Sequence, residues 1–400
     1  MAFDVARVRA CYPALADGYA YLDGAGGTQL PAPVIDAIGD AYRAGLGNAG
    51  GAFPASRRAS AITAACREAV ADLTGGDPAG VVLGPNMTTL TYRMAAALAA
   101  TWQPGDEVIV SRLDHDANVR PWAQAAARAG AVLRWAEPDP VTGELPADQY
   151  AGLLSERTKL VAVTAASNVI GTRPDVPAIT EMARAVGALS YVDGVHATPH
   201  GPVDVRELGA DFYTTSAYKW SGPHIGCLIA DPDLLGTLRP DKLLPSPDTV
   251  PERFELGTPA FADLAGVAAA VDHLAGLDDE AAGPRRERLL ASMAAAERHE
   301  QALFTDLLGG LDGMRNVTTY GKAVQRTATA YFTVAGLAPA AVAAHLAERR
   351  VNVWSGHNYA WELTGLLGIR DSGCAVRAGL VHYNDASDVA RFLDAIAELG

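Results

Sequence analysis

The segment YVDGVHATPHGPVDVRELGADFYTTSAYKWSGPHIG (residues 191–226) decides the fold. Asp193 directly follows a short apolar run, and Lys219 lies 26 residues later between two aromatic residues. In an open α/β sheet, residues that follow strands meet at the edge of the sheet where ligands bind. The segment therefore predicts that Asp193 and Lys219 share one site. The alternative for Asp193 is a turn residue that caps a helix.

Short apolar runs alternate with helix-length segments on both sides of this block, from about residue 80 to 230. The alternation predicts βαβ units and a mainly parallel sheet with helices on both faces. The predicted strands include GVVLG (80–84), DEVIVS (106–111), AVLRWAE (131–137), LVAVTAAS (160–167), ALSYVDG (188–194), FYTTSA and HIGCLIA (224–230).

The pattern changes after about residue 265. A long helix is predicted from about Gly283 to Leu308, followed by the strand TATAYFTVAG and the helices PAAVAAHLAERR and DASDVARFLDAIAELG. The fold class is therefore α/β. We expect a large domain over residues 21–265 and a smaller α+β domain that combines residues 1–20 with 266–400.

Composition argues against several classes of partner. The 400-residue chain has a formal net charge of −14, which disfavours binding to nucleic acid or to an anionic membrane surface. Its four cysteines show no metal-ligand spacing and are too few for a disulfide scaffold. We see no signal peptide and no membrane span, and we expect a cytoplasmic protein.

The pairing of a lysine with a carboxylate indicates a specific chemistry. A lysine in an apolar pocket has a lowered pKa and becomes a nucleophile toward carbonyl groups. A nearby carboxylate suits the ring nitrogen of pyridoxal phosphate (PLP), which would make Lys219 the attachment point and Asp193 the partner of the ring. The sequence therefore predicts PLP as the cofactor.

Other residues could complete such a site, although each also has an ordinary structural explanation. Met87 and Thr88 open a helix whose N-terminus could bind the phosphate, but threonine is also common at helix caps. His115 could stack on the ring. Asn168 and His196 follow predicted strands and could contact the phenolic oxygen. The remaining candidate is Arg377, whose guanidinium fork suits the carboxylate of an amino acid.

With these residues in order, the sequence resembles the class V aminotransferase family of fold-type I PLP enzymes. The nearest branch is cysteine-desulfurase-like and also holds isopenicillin N epimerase-like enzymes and C–S lyases. The resemblance runs from YLDGAGG (21–27) to VHYNDASDVARFL (381–393). It implies the fold-type I PLP-dependent transferase fold, an amino-acid substrate, and a homodimer with shared active sites.

The resemblance also implies a role for each candidate. Lys219 matches the lysine that binds the cofactor covalently, and Arg377 matches the arginine that binds the substrate carboxylate. Asp193 matches the carboxylate at the ring nitrogen, and His115 the stacking histidine. The remaining cofactor-binding matches are Ser216, Met87 and Thr88 at the phosphate, Asn168 in the SNxxGT motif, His196 beside the phenolic oxygen, and Thr258, which in such dimers reaches the phosphate of the other subunit.

Three departures from the family pattern bear on function. Tyr218 stands where desulfurases usually have histidine, and Met87 replaces a hydroxyl residue of the phosphate loop. In VNVWSGHNYAWEL (351–363), Tyr359 falls on the position of the nucleophilic cysteine. We expect Tyr359 and His357 of this loop to contact substrate. The residues expected to take part in catalysis are Lys219, His115 and Tyr359. Cys374 is nearby in sequence and is expected to be a buried free cysteine.

These features predict a PLP enzyme that performs α,β-elimination on a cysteine S-conjugate or a related substrate, rather than a persulfide-forming desulfurase. Transamination and epimerisation use the same residues and stay open as alternatives. A binding protein without catalysis is disfavoured, because it would have little reason to retain Lys219, Asp193 and Arg377. A nicotinamide-dependent dehydrogenase is disfavoured by the lack of G-x-G-x-x-G after the first strand.

Overall fold

The computed structural model describes residues 3–400. Its helices are α1 (Val5–Ala10), α2 (Ala32–Ala44), α3 (Pro54–Thr74), α4 (Met87–Ala99), α5 (Arg120–Ala129), α6 (Tyr150–Leu153), α7 (Val176–Ala185), α8 (Pro232–Thr237), α9 (Phe261–Leu274), α10 (Arg285–Asp312), α11 (Pro339–Glu348), α12 (Trp361–Leu366) and α13 (Ala386–Ala397). Its strands are β1 (Ala20–Tyr21), β2 (Val81–Gly84), β3 (Glu107–Ser111), β4 (Val132–Ala136), β5 (Thr158–Thr164), β6 (Leu189–Asp193), β7 (Phe212–Ser216), β8 (Gly226–Ala230), β9 (Val317–Tyr320), β10 (Thr329–Val334), β11 (Val351–Asn352), β12 (Trp354–Gly356) and β13 (Ala375–Gly379).

Within residues 3–400, seven strands form the main sheet in the order β2-β8-β7-β6-β5-β3-β4. Strand β8 pairs antiparallel with both of its neighbours, and the other pairings are parallel. Strand β7 runs parallel to β6, and β8 returns antiparallel to β7. The chain between β7 and β8 therefore turns at the edge of the sheet where the parallel strands end. The turn that carries Lys219 therefore lies beside the carboxyl ends of β5 and β6.

The sheet is the middle of three layers. The side chains of β3, β7 and β8 are buried throughout, whereas the edge strand β4 is partly exposed. One apolar cluster joins a face of the sheet to α3, α7 and α9, and another joins the opposite face to α4 and α5. Strands buried on both faces are typical of parallel sheets covered by helices.

A second sheet of four strands, ordered β12-β13-β10-β9, belongs to the C-terminal part of the chain. Its core packs against α10, α11 and α13 and contains Leu307, Phe332, Val342 and Phe392. The N-terminal segment reaches this region, since β1 pairs parallel with β11 and Arg9 forms an ion pair with Asp388.

The mainly parallel sheet confirms the predicted fold class, and each predicted strand of the main sheet is present. The long helix extends to Asp312, four residues beyond the predicted end. The proposed domain boundary at residue 265 falls inside α9, which packs against α2 and α3. The division into domains stays a prediction. Across the described residues, none of the helices combines the length and apolar character that a membrane span requires.

Candidate active site

A cavity of about 660 Å³ lies at the carboxyl edge of the main sheet, between that sheet and the C-terminal sheet. Its walls come from the ends of β5, β6 and β7, the start of α4, the loop after β3, and the segment from β12 to Tyr359. The cavity brings together nearly all of the predicted site residues: Met87, Thr88, His115, Asn168, Asp193, His196, Ser216, Lys219, His357, Tyr359 and Arg377.

Lys219 occupies the turn that follows β7. Its Nζ donates hydrogen bonds to the carbonyl oxygens of Ala25 (2.6 Å) and Gly26 (3.0 Å). Loss of hydration inside the cavity, together with the positive charge of Arg377, lowers the lysine pKa to about 7, against the opposing effect of Asp193. A large fraction of this amine is therefore neutral near neutral pH, as a nucleophile or proton acceptor requires.

Asp193 is the last residue of β6 and is 4% exposed. Burial raises its pKa to about 6, while the hydrogen bond from the Val195 amide (2.9 Å) and the charge of Lys219 oppose the rise. The next residue has to be glycine, because a Cβ on Gly194 would lie 1.9 Å from the ring of Tyr213. Such close packing fixes the carboxylate at the strand end.

The start of α4 offers hydrogen-bond donors to an anion. Asn86 caps the helix by accepting from the Thr89 amide (2.9 Å), and the Met87 amide donates to the Ser216 hydroxyl oxygen (3.0 Å). Met87, Thr88 and Ser216 all line the cavity, and together with the helix N-terminus they form a set suited to a phosphate. Gly226 permits this approach, since a Cβ there would lie 2.3 Å from the Asn86 carbonyl carbon.

His115 presents a neutral planar ring. Burial and then the positive charges of Lys219 and Arg377 lower its pKa to about 3. Its Nδ1 accepts a hydrogen bond from the Ala117 amide (3.0 Å), so the proton of the neutral ring resides on Nε2. The ring stacks on Tyr359 with centroids 5.3 Å apart and planes inclined by 30°.

His196 lines the cavity, but its Nε2 faces the C-terminal part of the chain. That nitrogen lies 3.0 Å from the hydroxyls of both Thr327 and Thr329. Burial lowers the pKa of His196 well below its ordinary value, which leaves the ring neutral. The predicted contact with a phenolic oxygen stays a prediction.

Arg377 and Asn168 connect the two sheets. The Arg377 Nη1 donates to the Asn168 carbonyl oxygen (2.9 Å), and the Asn168 side-chain amide donates to the Asn358 carbonyl oxygen (2.7 Å). Burial lowers the pKa of Arg377 to about 10, so the guanidinium keeps its charge. Within residues 3–400, the buried Oδ1 of Asn168 has no hydrogen-bond partner, which leaves an acceptor available to a ligand that carries a donor.

The loop that contains Tyr359 is attached to the main sheet. The Asp116 amide donates to the Tyr359 carbonyl oxygen (2.8 Å), and the Tyr331 hydroxyl donates to the Gly356 carbonyl oxygen (2.7 Å). Just beyond the loop, Glu362 pairs with both Arg112 and Arg120. The backbone is therefore held in place while the Tyr359 side chain is 65% exposed.

Several cavity residues were not among the predicted site residues. Ala25 and Gly26 act through backbone carbonyls, which leave no signal in the side-chain pattern. Tyr92 and Trp354 line the mouth and are 40% and 52% exposed. Thr258 was predicted, but it is exposed and lies outside the cavity formed by this chain's described residues. The structure agrees with the expectation that Cys374 is buried and free.

The donor set fits PLP. The helix N-terminus and Ser216 suit the phosphate, Asp193 suits a protonated ring nitrogen, His115 offers a ring face, and Lys219 offers an amine. The fold and the site together define a PLP-dependent enzyme of fold type I. The family model described as Aminotransferase class-V matches residues 20–392, and the chain belongs to this family.

Relatives and solved structures agree with this assignment. The chain is 39% identical to an uncharacterised protein of Mycobacterium tuberculosis over the whole of both chains. It is 36% identical to a probable cysteine desulfurase of Pseudomonas aeruginosa, covering 97% of this chain and 96% of that one. Its structure resembles the cysteine desulfurase CsdA of Escherichia coli (TM-score 0.87, 28% identity, 100% and 98% coverage). It also resembles an apo cysteine desulfurase of Thermococcus onnurineus (TM-score 0.90, 28% identity, 100% and 98% coverage).

Proposed function

We propose that the protein catalyses α,β-elimination on cysteine S-conjugates, with water consumed and a thiol, pyruvate and ammonia released. One observation carries the proposal. The position that the family resemblance assigns to the nucleophilic cysteine holds Tyr359, which lines the cavity and whose phenol cannot hold a transferable sulfur atom. The residues needed to activate Cα remain in the same cavity.

Bound PLP supplies an electron sink for the negative charge that develops at Cα. Asp193 supports this role by holding a proton on the ring nitrogen. Arg377 binds the α-carboxylate and orients the Cα–H bond toward Lys219. The neutral amine of Lys219 then removes the Cα proton, a double bond forms between Cα and Cβ, and the bond between Cβ and sulfur breaks with its electron pair leaving on the thiolate. The released 2-aminoacrylate then consumes water in its hydrolysis to pyruvate and ammonia.

The fixed loop supports elimination over sulfur transfer. A loop that delivers a sulfur atom has to move between the substrate and an acceptor. Here the backbone at Asn358 and Tyr359 is held by hydrogen bonds from Asn168 and Asp116. Elimination requires no such movement, because the leaving thiolate departs through the open mouth of the cavity.

The aromatic residues at the opening of the cavity indicate which group the substrate carries on its sulfur atom. The aromatic side chains of Tyr92, Trp354 and Tyr359 are each at least 40% exposed and line the same opening. Exposed aromatic groups that converge on a cleft commonly mark a binding region for apolar ligand groups. We therefore include in the proposal an aromatic or extended apolar substituent on the sulfur.

The relatives named cysteine desulfurase favour a second candidate, persulfide formation from free cysteine. In this chain the nucleophile would have to be Cys374. That residue is buried, burial raises its thiol pKa, and it is not one of the residues that line the cavity. A protonated, buried thiol is a poor nucleophile, which weighs against this candidate.

We also propose a homodimer in which Thr258 reaches the phosphate of the other subunit. Thr258 is exposed, and Leu256 beside it is 53% exposed. Leu243 and Leu244 are 65% and 96% exposed. Burial of such a surface against a second copy would remove apolar area from water, which favours association.

The test is a substrate panel with separate measurement of each product. S-aryl cysteines, S-methylcysteine, cysteine and alanine are compared, and thiol, pyruvate, keto acid, racemised amino acid and protein persulfide are quantified. We expect thiol and pyruvate in equal amounts, with S-aryl cysteines preferred. Stoichiometric persulfide on Cys374 would establish the desulfurase candidate instead. Amino-group exchange or racemisation without thiol release would refute elimination.

Two variants of Tyr359 test whether this residue contacts the substituent on the substrate sulfur. Tyr359→Ala should lower kcat/KM for the S-aryl substrate about tenfold and for S-methylcysteine much less, because the lost contact is with the substituent. Tyr359→Phe keeps the ring and serves as the matched control. Equal effects of Tyr359→Ala on both substrates would remove the substituent-binding role from Tyr359.

A further inference from the structure

Tyr12 lies at the centre of a buried polar cluster and contacts Ser221, two residues after Lys219. Its hydroxyl lies 2.8 Å from the Ser221 hydroxyl, 2.9 Å from the His273 Nε2 and 2.6 Å from the His382 Nε2. Tyr12, Ser221 and His382 are all at most 2% exposed. The four residues come from four distant parts of the chain, so the cluster connects them at one point.

The numbers of donors and acceptors in the cluster determine which atom donates in each of its hydrogen bonds. A phenol donates once and accepts up to twice. The Nδ1 of His382 is buried and has no partner among residues 3–400, and a buried bare acceptor costs less than a buried N–H without a partner. His382 therefore donates from Nε2 to the Tyr12 oxygen. The other contact of the Ser221 hydroxyl is this protonated His382 nitrogen (3.4 Å), so Ser221 donates to the Tyr12 oxygen as well, and Tyr12 donates to His273.

The cluster is continuous with the lysine site. Ser221 has a φ of +65°, a conformation that a residue with a side chain adopts only when its surroundings hold it. Its amide donates to the Thr28 hydroxyl (2.7 Å), and the Thr28 amide donates to the Tyr218 carbonyl oxygen (2.8 Å). Residues 25 and 26, just before Thr28, carry the carbonyls that accept from Lys219.

We infer that Tyr12 is a positioning residue for Lys219. By fixing Ser221, it holds the lysine turn against the segment of residues 25–28. The Lys219 amine and its two carbonyl acceptors thereby stay within hydrogen-bonding distance. The inference concerns the lysine that binds the cofactor, and it holds for elimination and for every alternative reaction of the site. It can therefore fail or succeed independently of the proposed function.

The test uses Tyr12→Phe in the full-length chain purified without cofactor. The rate at which the protein captures added PLP is measured against pH, because the neutral form of the Lys219 amine attacks the aldehyde. Carbonyl acceptors stabilise the ammonium form. Loss of the two hydrogen bonds should lower the midpoint of the plot of capture rate against pH by about one pH unit. It should also slow capture about tenfold on the high-pH plateau of that plot. In the holoenzyme kcat should fall while KM is retained.

Tyr150→Phe is the matched control. The Tyr150 hydroxyl is also buried but has no hydrogen-bond partner in the described part of the chain, so its removal should leave capture unchanged. A Tyr12→Phe variant with the parent's midpoint and plateau rate would overturn the inference, whatever its thermal stability. So would an equal shift in Tyr150→Phe. If Tyr12→Phe does not fold, Ser221→Ala has to shift the midpoint in the same direction, and an unchanged midpoint there overturns the inference.

Discussion

Replacement of Arg377 by lysine should weaken substrate binding while leaving the attached cofactor unaffected. Arg377 is 5% exposed, and its Nη1 already donates to the Asn168 carbonyl oxygen. The remaining N–H groups of the fork can meet both oxygens of a carboxylate, whereas a lysine ammonium behaves as a single point charge. The substitution keeps the positive charge and removes the two-point contact.

The expected rise in the dissociation constant follows from the number of hydrogen bonds that the substitution removes. A hydrogen bond to a charged group contributes about 1.5–3 kcal/mol, and the substitution removes one of the two to the carboxylate. At about 1.4 kcal/mol per factor of ten, the dissociation constant should rise roughly 10- to 100-fold. Binding of alanine, which has no leaving group at Cβ, is followed through the visible absorption of the bound cofactor.

The matched control is Arg326→Lys. Arg326 is also a partly desolvated guanidinium whose pKa burial lowers to about 10, and it donates to the Thr329 carbonyl oxygen (2.9 Å) outside the cavity. Its substitution should leave alanine binding unchanged. Arg377→Lys with the parent's dissociation constant would refute the assignment. So would loss of the cofactor's absorption band in that variant, because the effect would then lie at the PLP site.

Lys219, the phosphate end of α4 and the proposed dimer each allow a further test. Capture of PLP by the cofactor-free protein should rise with pH and level off above a midpoint of about 7, because the lysine pKa is lowered and the neutral amine reacts; a midpoint above 9 would contradict the burial of Lys219. Gly226→Ala should lower the free energy of unfolding by about 1–3 kcal/mol or more in a denaturant titration and weaken PLP binding, because the new Cβ would collide with the Asn86 backbone; parental values for both would contradict the close packing. Thr258→Ala should weaken PLP binding, and mixed dimers with Lys219→Ala chains should restore it at the sites that combine an intact Lys219 with an intact Thr258; no recovery would contradict a shared site.

Sequence reasoning located the strands and the residues at their ends. Asp193 was identifiable because an apolar strand precedes it, and Lys219 because a second strand and a turn bracket it. Both features depend on local patterns a few residues long. The long C-terminal helix was also predicted, but it continues through Gly309 and Gly310, a pair that ordinarily ends a helix, and ends at Asp312. Burial of Leu311 in the core of the C-terminal sheet offsets the weak helix propensity of the two glycines.

The surroundings of Tyr359 could not be predicted in the same way. Its loop is held by a hydrogen bond between Asn168 and Asn358, which are 190 residues apart in sequence. The stacking of Tyr359 on His115 likewise depends on how two distant segments meet. Neither contact has a periodic signature, so the sequence identified Tyr359 by its position in the loop but not its partners.

The pairing of the two ends of the chain has a consequence for biosynthesis. Asp23 forms a β-bridge with Gly379, the carbonyl acceptors for Lys219 lie two and three residues after Asp23, and Arg377 lies two residues before Gly379. A ribosome-bound chain that has emerged only as far as Lys219 therefore lacks Arg377 and the loop that carries His357 and Tyr359, all of which line the cavity. Completion of the site is therefore a late event in synthesis that waits for the last strand of the C-terminal sheet, and a chain truncated before residue 375 should be unable to bind the substrate carboxylate through Arg377.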